Sequence, residues 1–319
     1  MRYSIQELID IVRVETENED VSSSIGIQDK EIIRFINIAQ RQIQSKIVSK
    51  SEKEYTSIVT LLPDLNTNGR VYSIPQDSFM RARVTSLWVD ERLSKQVYIN
   101  DLKITKLNVA TAGCCNTPSC YYGCYVHKSQ GYAIVANKIY ITGSCDVNSQ
   151  ITIAYVKTVP ELELPILQVT ALTAVDMQGG TLAVDLNASS FNVNLLNTSR
   201  VYTLVDEQGV QIVQNIRLGA YNSALGTIPL SANNLPQLIT TTENTYLVRG
   251  SNSSTHCDVE ALAQDFITRY AIAKVLQRDG SSEYNVHSAD LVALLNEIVD
   301  AYVEAASQIM DIQQFPEDY

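Results

Sequence analysis

The stretch EIIRFINIAQRQIQSKIV, residues 31–48, decides how this chain is read. Ile32, Ile36, Ala39, Ile43 and Ile47 recur at helical spacing, which makes one apolar stripe of an amphipathic helix. Asn37, Gln40 (or Arg41) and Gln44 form a second ridge beside it. A helix flank that faces water usually carries Lys and Glu, whereas this one is built largely from uncharged amides. Amides lose water at less cost than charges, provided they find hydrogen-bond partners. The ridge Asn37, Gln40, Arg41 and Gln44 is therefore expected to meet a neighbouring subunit, with plain exposure to solvent as the alternative.

Working outward, four helical segments frame the chain, two at each end. The first starts at Ser4, with Glu7 three residues on as in a capping box, and Ile5, Leu8, Ile9 and Val12 share one face. The second, which contains the quoted stretch, starts near Asp29. Val259, Leu262, Phe266, Tyr270 and Ala273 mark a third, stopped by Gly280 in a left-handed cap. Ser288 is placed to cap a fourth, with Leu291, Leu294, Leu295, Ile298, Tyr302, Ala305 and Ile309 at helical spacing. Short helices rarely persist alone in water, so the four are expected to pack as one bundle.

Between them the chain reads as strands. EYTSIVTLL, RVYSI, RVTSLWV and ITIAYV are rich in β-branched and aromatic residues, and GYAIVANKIYITG reads as a tight hairpin turning near Ala136-Asn137. Composition shifts after Pro160. Residues 161–250 hold only seven acids and three bases among many Thr, Val, Leu and Asn. The expected class is α+β: a bundle from N- and C-terminal helices, a central antiparallel β region and an inserted all-β domain. The expected divisions are 1–60, 61–162, 163–250 and 251–319.

Catalytic signatures are missing. The sequence has no Walker, dinucleotide-binding, zincin or nucleophile-elbow motif, and only three histidines, His127, His256 and His287. The chain is therefore read as no enzyme. Cys114, Cys115, Cys120 and Cys124 crowd one loop, with His127 close behind and Cys145 further on. Zinc can take such ligands, but the paired CxxC knuckles of well-marked zinc sites are absent. Disulfides and reduced, packed thiols are the other readings, and no cofactor is required. Arg81, Arg83 and Arg92 form the densest basic patch, better suited to a subunit contact or ion pair than to DNA readout.

Of the net charge of −11, most lies at one end. Residues 258–319 hold twelve acids against three bases, and residues 1–257 hold 23 acids against 21 bases. Such acidity speaks against a phosphate-gripping surface and reads first as a solvated helix pair, the other reading being a surface past which DNA slides without sticking. Asp290, Glu297, Asp300 and Glu304 are the candidates for such a channel-facing surface; Asp290/Glu297 and Asp300/Glu304 have spacings that share a helix face. No apolar run is long enough for a membrane span, and the acidic N-terminus lacks the apolar centre of a signal peptide.

The order of segments carries a resemblance. A helix with Ile36-Asn37-Ile38-Ala39, then Ile74-Pro75-Gln76-Asp77 leading into an apolar strand, then a Tyr132–Pro160 hairpin region and a closing helix pair resemble the head-to-tail connector proteins of short-tailed bacteriophages. These adaptor, ring or tail tubular proteins include the neck ring proteins of crAss-like phages. The resemblance covers about residues 1–162 and 257–310. It implies a structural virion protein, assembled in the host cytoplasm into a homo-oligomeric ring, commonly twelve-fold. Such a ring sits in the neck below the portal, touches the portal and other neck or tail rings, and lets double-stranded DNA pass without specific binding. The alternative is a tail-associated protein that binds host surface or glycan through residues 163–250. That stretch offers few aromatic platforms: Phe191, Tyr202, Tyr221 and Tyr246.

Overall fold

The computed structural model describes residues 2–17, 27–51, 55–62, 71–75, 77–79, 84–89, 92–96, 131–135, 137–142, 150–174, 179–184, 196–222, 224–232, 245–259 and 261–313. It divides into two compact units, one made of Met1–Lys50 with Val159–Tyr319 and the other of Ser51–Thr158. The fold is α+β. The breaks fall at 50/51 and 158/159.

The first unit holds the helices. Helix α1 (Ile5–Glu15) opens with the expected capping box: the Glu7 backbone N–H donates to Ser4 Oγ, and the Glu7 carboxylate accepts from the Ser4 backbone N–H at 2.7 Å. Those bonds hold the Glu7 carboxyl below its usual range. Helix α2 (Asp29–Lys50) buries Ile32, Ile36, Ala39, Ile43 and Ile47 as expected. Arg13 of α1 is buried, and its guanidinium donates to Asp29 at the start of α2 and to the Ile27 carbonyl.

Helix α3 (Ala261–Asp279) departs from the single-face expectation. Besides Phe266 and Ala273, it buries Ile267, Ala271, Ile272 and Val275, so apolar contact wraps around it. Such a helix sits within a core rather than on one. It ends as anticipated at Gly280, whose φ of +71° only a residue without Cβ adopts freely, and Ser281 N–H bonds back to the Leu276 carbonyl. Ser288 does not cap the last helix. It lies within a short helix α4 (Tyr284–Ala289), and α5 (Leu291–Gln313) starts after Asp290. Salt bridges join α2 to its neighbours at both ends: Glu31 to Arg278 of α3 at 2.7 Å, and Lys50 to Asp300 of α5 at 2.6 Å.

The same unit contains a closed six-stranded barrel. Its strands, in chain order β10 (Leu167–Ala174), β11 (Gly179–Val184), β12 (Val201–Val205), β13 (Gln211–Leu218), β14 (Thr227–Ser231) and β15 (Thr245–Arg249), pair as β10-β11-β14-β13-β12-β15 and back to β10. Closure leaves no open sheet edge. Leu172, Leu182, Tyr202, Leu204, Ile216, Ile228 and Leu247 are central to its core, and each such side chain contributes about 1.5–3 kcal/mol on burial. A parallel pair, β9 (Glu161–Leu162) with β16 (Ser253–Ser254), completes this unit.

The second unit has two four-stranded sheets. One orders β1 (Thr56–Leu61), β8 (Ile151–Val156), β3 (Val84–Val89) and β4 (Arg92–Leu93). The other orders β2 (Val71–Ser73), β7 (Lys138–Thr142), β6 (Gly131–Val135) and β5 (Lys95–Gln96). The β6–β7 hairpin turns where expected, with Asn137 at φ +64°. Leu87, Val89, Ile151 and Ile153 from the first sheet share one core with Tyr72, Tyr132, Ile139 and Ile141 from the second.

Candidate functional site

The amide ridge of α2 has its partners inside its own chain. The Asn37 side chain donates to the Leu162 carbonyl at 2.9 Å and accepts from the Leu162 N–H at 2.8 Å. Gln40 donates to the Pro160 carbonyl at 2.6 Å, and Gln44 accepts from the Val159 N–H at 3.3 Å. The reason these positions read one strand is a match of repeats. Seven residues of helix rise about 10.5 Å, and three residues of strand about 10 Å. Positions 37, 40 and 44 thus step along residues 162, 160 and 159 in register.

Strand β9 is thereby paired on both edges. Glu161 and Glu163 donate to the Asn252 and Ser254 carbonyls on one side, while Leu162 turns both of its backbone groups to Asn37 on the other. A side-chain amide carries a donor and an acceptor side by side, which matches the N–H and C=O of one strand residue. Asn37, Gln40 and Gln44 are buried, at 7%, 2% and 0% exposure. Their expected role against a sister subunit is therefore corrected: burial and bonds to residues 159–162 occupy them within the chain. Arg41, on the adjacent flank, stays half-exposed and makes a surface ion pair with Glu161 at 3.3 Å.

Around this ladder lies a polar junction. Ser254 Oγ donates to the Gly209 carbonyl at 2.7 Å and accepts from the His256 N–H at 3.1 Å, tying the β12–β13 turn to residues 253–256. A Cβ at Gly209 would stand 2.8 Å from the His256 backbone nitrogen, and φ there is +76°, so this close approach requires glycine. Burial holds His256 below its ordinary pKa, against the pull of Glu7 and Asp206. Cys257 is a free, fully buried thiol. Its Sγ lies 3.6 Å from Gln40 Oε1, and burial pushes its pKa up to about 12. A neutral, enclosed thiol of this kind is no nucleophile, and His256 bonds to Thr255 rather than to it.

Of the acidic candidates, Asp290, Glu297, Asp300 and Glu304 all lie exposed on or beside α5, and Asp300 is paired with Lys50. Cys114, Cys115, Cys120, Cys124, His127 and Cys145 fall outside the described residues, as do Arg81 and Arg83 and the Arg92 side chain. Among the described residues, no group of three or more His, Cys, Asp or Glu is placed to hold a metal ion, and no helix is long and apolar enough to cross a membrane.

Two outcomes follow. Asn37→Ala leaves two buried backbone groups of Leu162 unpaired and should cost about 2–4 kcal/mol; Gln42→Ala, one turn away and exposed, should change stability by less than about 0.5 kcal/mol in denaturant titrations. Burial raises the pKa of Glu163, outweighing the nearby Arg249. A raised carboxyl binds its proton more tightly when folded, so its contribution is complete below the unfolded pKa and is lost as pH rises through the folded value. Glu163→Gln should therefore raise Tm at pH 7 and leave it unchanged at about pH 3, below the ordinary carboxylate range. No family model matches the chain, and no curated protein matches its sequence.

Proposed function

We propose that the chain is a non-enzymatic structural protein of a tailed-phage virion, forming a closed ring in the head-to-tail connector below the portal. The observation that carries this reading is the union of the two chain ends. Residues 1–50 and 159–319 belong to one compact unit, and residues 51–158 leave it and return. This is the order of parts on which the resemblance to connector proteins rests.

In this reading the terminal helices act as a bundle, stapled by Glu31–Arg278 and Lys50–Asp300. The barrel is an addition between its halves that turns to neighbouring neck or tail proteins. Identical heterologous contacts close a ring when the rotation between subunits divides the circle. The exposed carboxylates Asp290, Glu297, Asp300 and Glu304 then serve the lumen, where like charge keeps DNA phosphate from adhering during passage.

The test is electron microscopy of the chain co-expressed with the portal protein of the same phage. The expected result is a ring of copies, twelve-fold on the resemblance, coaxial with the portal. A solitary, peripheral copy, or no association with the portal, overturns the proposal.

A further inference from the structure

Positive charge collects at one end of the closed barrel. There β12 begins at Val201 and β15 ends at Arg249, and the chain enters β10 through residues 163–166, where Ile166 N–H bonds to the Leu247 carbonyl. These three strands are neighbours in the closed order. Leu204 lies opposite Leu247 and Tyr202 opposite Arg249, which puts Arg249 on the same, inward side of β15 as the core residue Leu247. Its Nε is buried and has no hydrogen-bond acceptor among the described residues. A buried donor left unpaired is costly, and an acceptor that reaches it removes that cost.

Helix α2 brings more charge to the same end. Positions 30, 34, 37, 41 and 44 form one ridge, four and three residues apart. Along it Gln44, Arg41 and Asn37 meet Val159, Glu161 and Leu162 in turn. Arg34 and Lys30 come next on that ridge, toward Glu163 and the residues after it. Burial raises the Glu163 pKa while Arg249, Lys30 and Arg200 pull it down, so all three cations act on that carboxyl. The neighbouring acids are already engaged: Asp29 with Arg13, Glu31 with Arg278 and Glu161 with Arg41. Lys30, Arg34, Arg200 and Arg249 form no salt bridge among the described residues.

We propose that this end of the barrel binds a small, multiply charged oxyanion of the phosphate class. Guanidinium forks match the oxygens of phosphate, and four cations against one carboxylate leave an excess that a dianion balances better than a carboxylate does. The buried Nε selects a free ion or a terminal phosphate group over the phosphates of a duplex, which lie along a stiff backbone. In a chain of net charge −11 the anion arrives against the overall field, so local geometry rather than steering sets the affinity. The site neither needs the ring reading nor bears on it.

Calorimetric titration of the full chain with inorganic phosphate, at about pH 8 and constant ionic strength, tests the site. Phosphate should bind with a Kd of about 1 mM or tighter, and acetate at least about tenfold more weakly. Arg249→Lys keeps the charge and loses Nε, and Arg200→Gln alters an exposed position; each should weaken phosphate binding at least about tenfold. Glu163→Gln removes the opposing charge and should tighten binding severalfold, an effect that a purely structural role would not produce. Arg217→Gln, exposed on the neighbouring strand and paired with Val201, should change nothing. Unchanged Tm without phosphate confirms that each variant is folded. No binding up to about 10 mM phosphate, or binding that survives both Arg249→Lys and Arg200→Gln, overturns the inference. Duplex DNA that displaces phosphate in the same titration gives these cations to nucleic acid and also overturns it.

Discussion

The reciprocal pair of hydrogen bonds between the Asn37 side chain and the Leu162 peptide governs how the first unit is organised. A two-residue strand has too few backbone bonds to hold itself in place. β9 is fixed because α2 acts as its second neighbour, through amides spaced to follow it. Once residues 159–162 are fixed, residues 253–257 are fixed beside them, and with them the chain on either side of the barrel and the entry to α3. The start of α1 is tied to the same segment, since Ile5 N–H bonds to the Thr255 carbonyl and Cys257 N–H to the Tyr3 carbonyl.

The ladder also explains what could and could not be read in the sequence. Local signals were legible: Ser4 with Glu7, the Ile stripe of α2, Gly280, and the β6–β7 hairpin each depend on residues within a few positions. The ridge of Asn37, Gln40 and Gln44 was legible as an anomaly, because a solvated flank would not avoid charge. Its partner was not, because Leu162 lies 125 residues away and a pattern on one helix carries no address. Val159–Leu162, held by α2, lie in the same compact unit as the helices. Within the barrel, β14 was hidden by Pro229, which is depleted in strands, and the closing of six strands is a long-range property. The candidate metal loop lies outside the described residues, so its three readings stand as the sequence left them.

Asp290, Glu297, Asp300 and Glu304 are exposed on or beside α5, and on the proposed reading their charge keeps DNA phosphate from adhering. Half-buried His256 and buried Cys257 are spent on structure, with bonds to Thr255 and Gln40 rather than to a reactive partner.

Amide hydrogen exchange at Leu162 tests the central physical claim most directly. The account predicts that this N–H, in a two-residue strand that would otherwise exchange freely, is protected in the wild-type chain to an extent comparable with buried amides of α2. In Asn37→Ala its exchange should accelerate by at least about tenfold, the equivalent of one buried hydrogen bond, while Ile36 stays slow. An unprotected Leu162 amide in the wild-type chain would contradict the claim that α2 holds this strand.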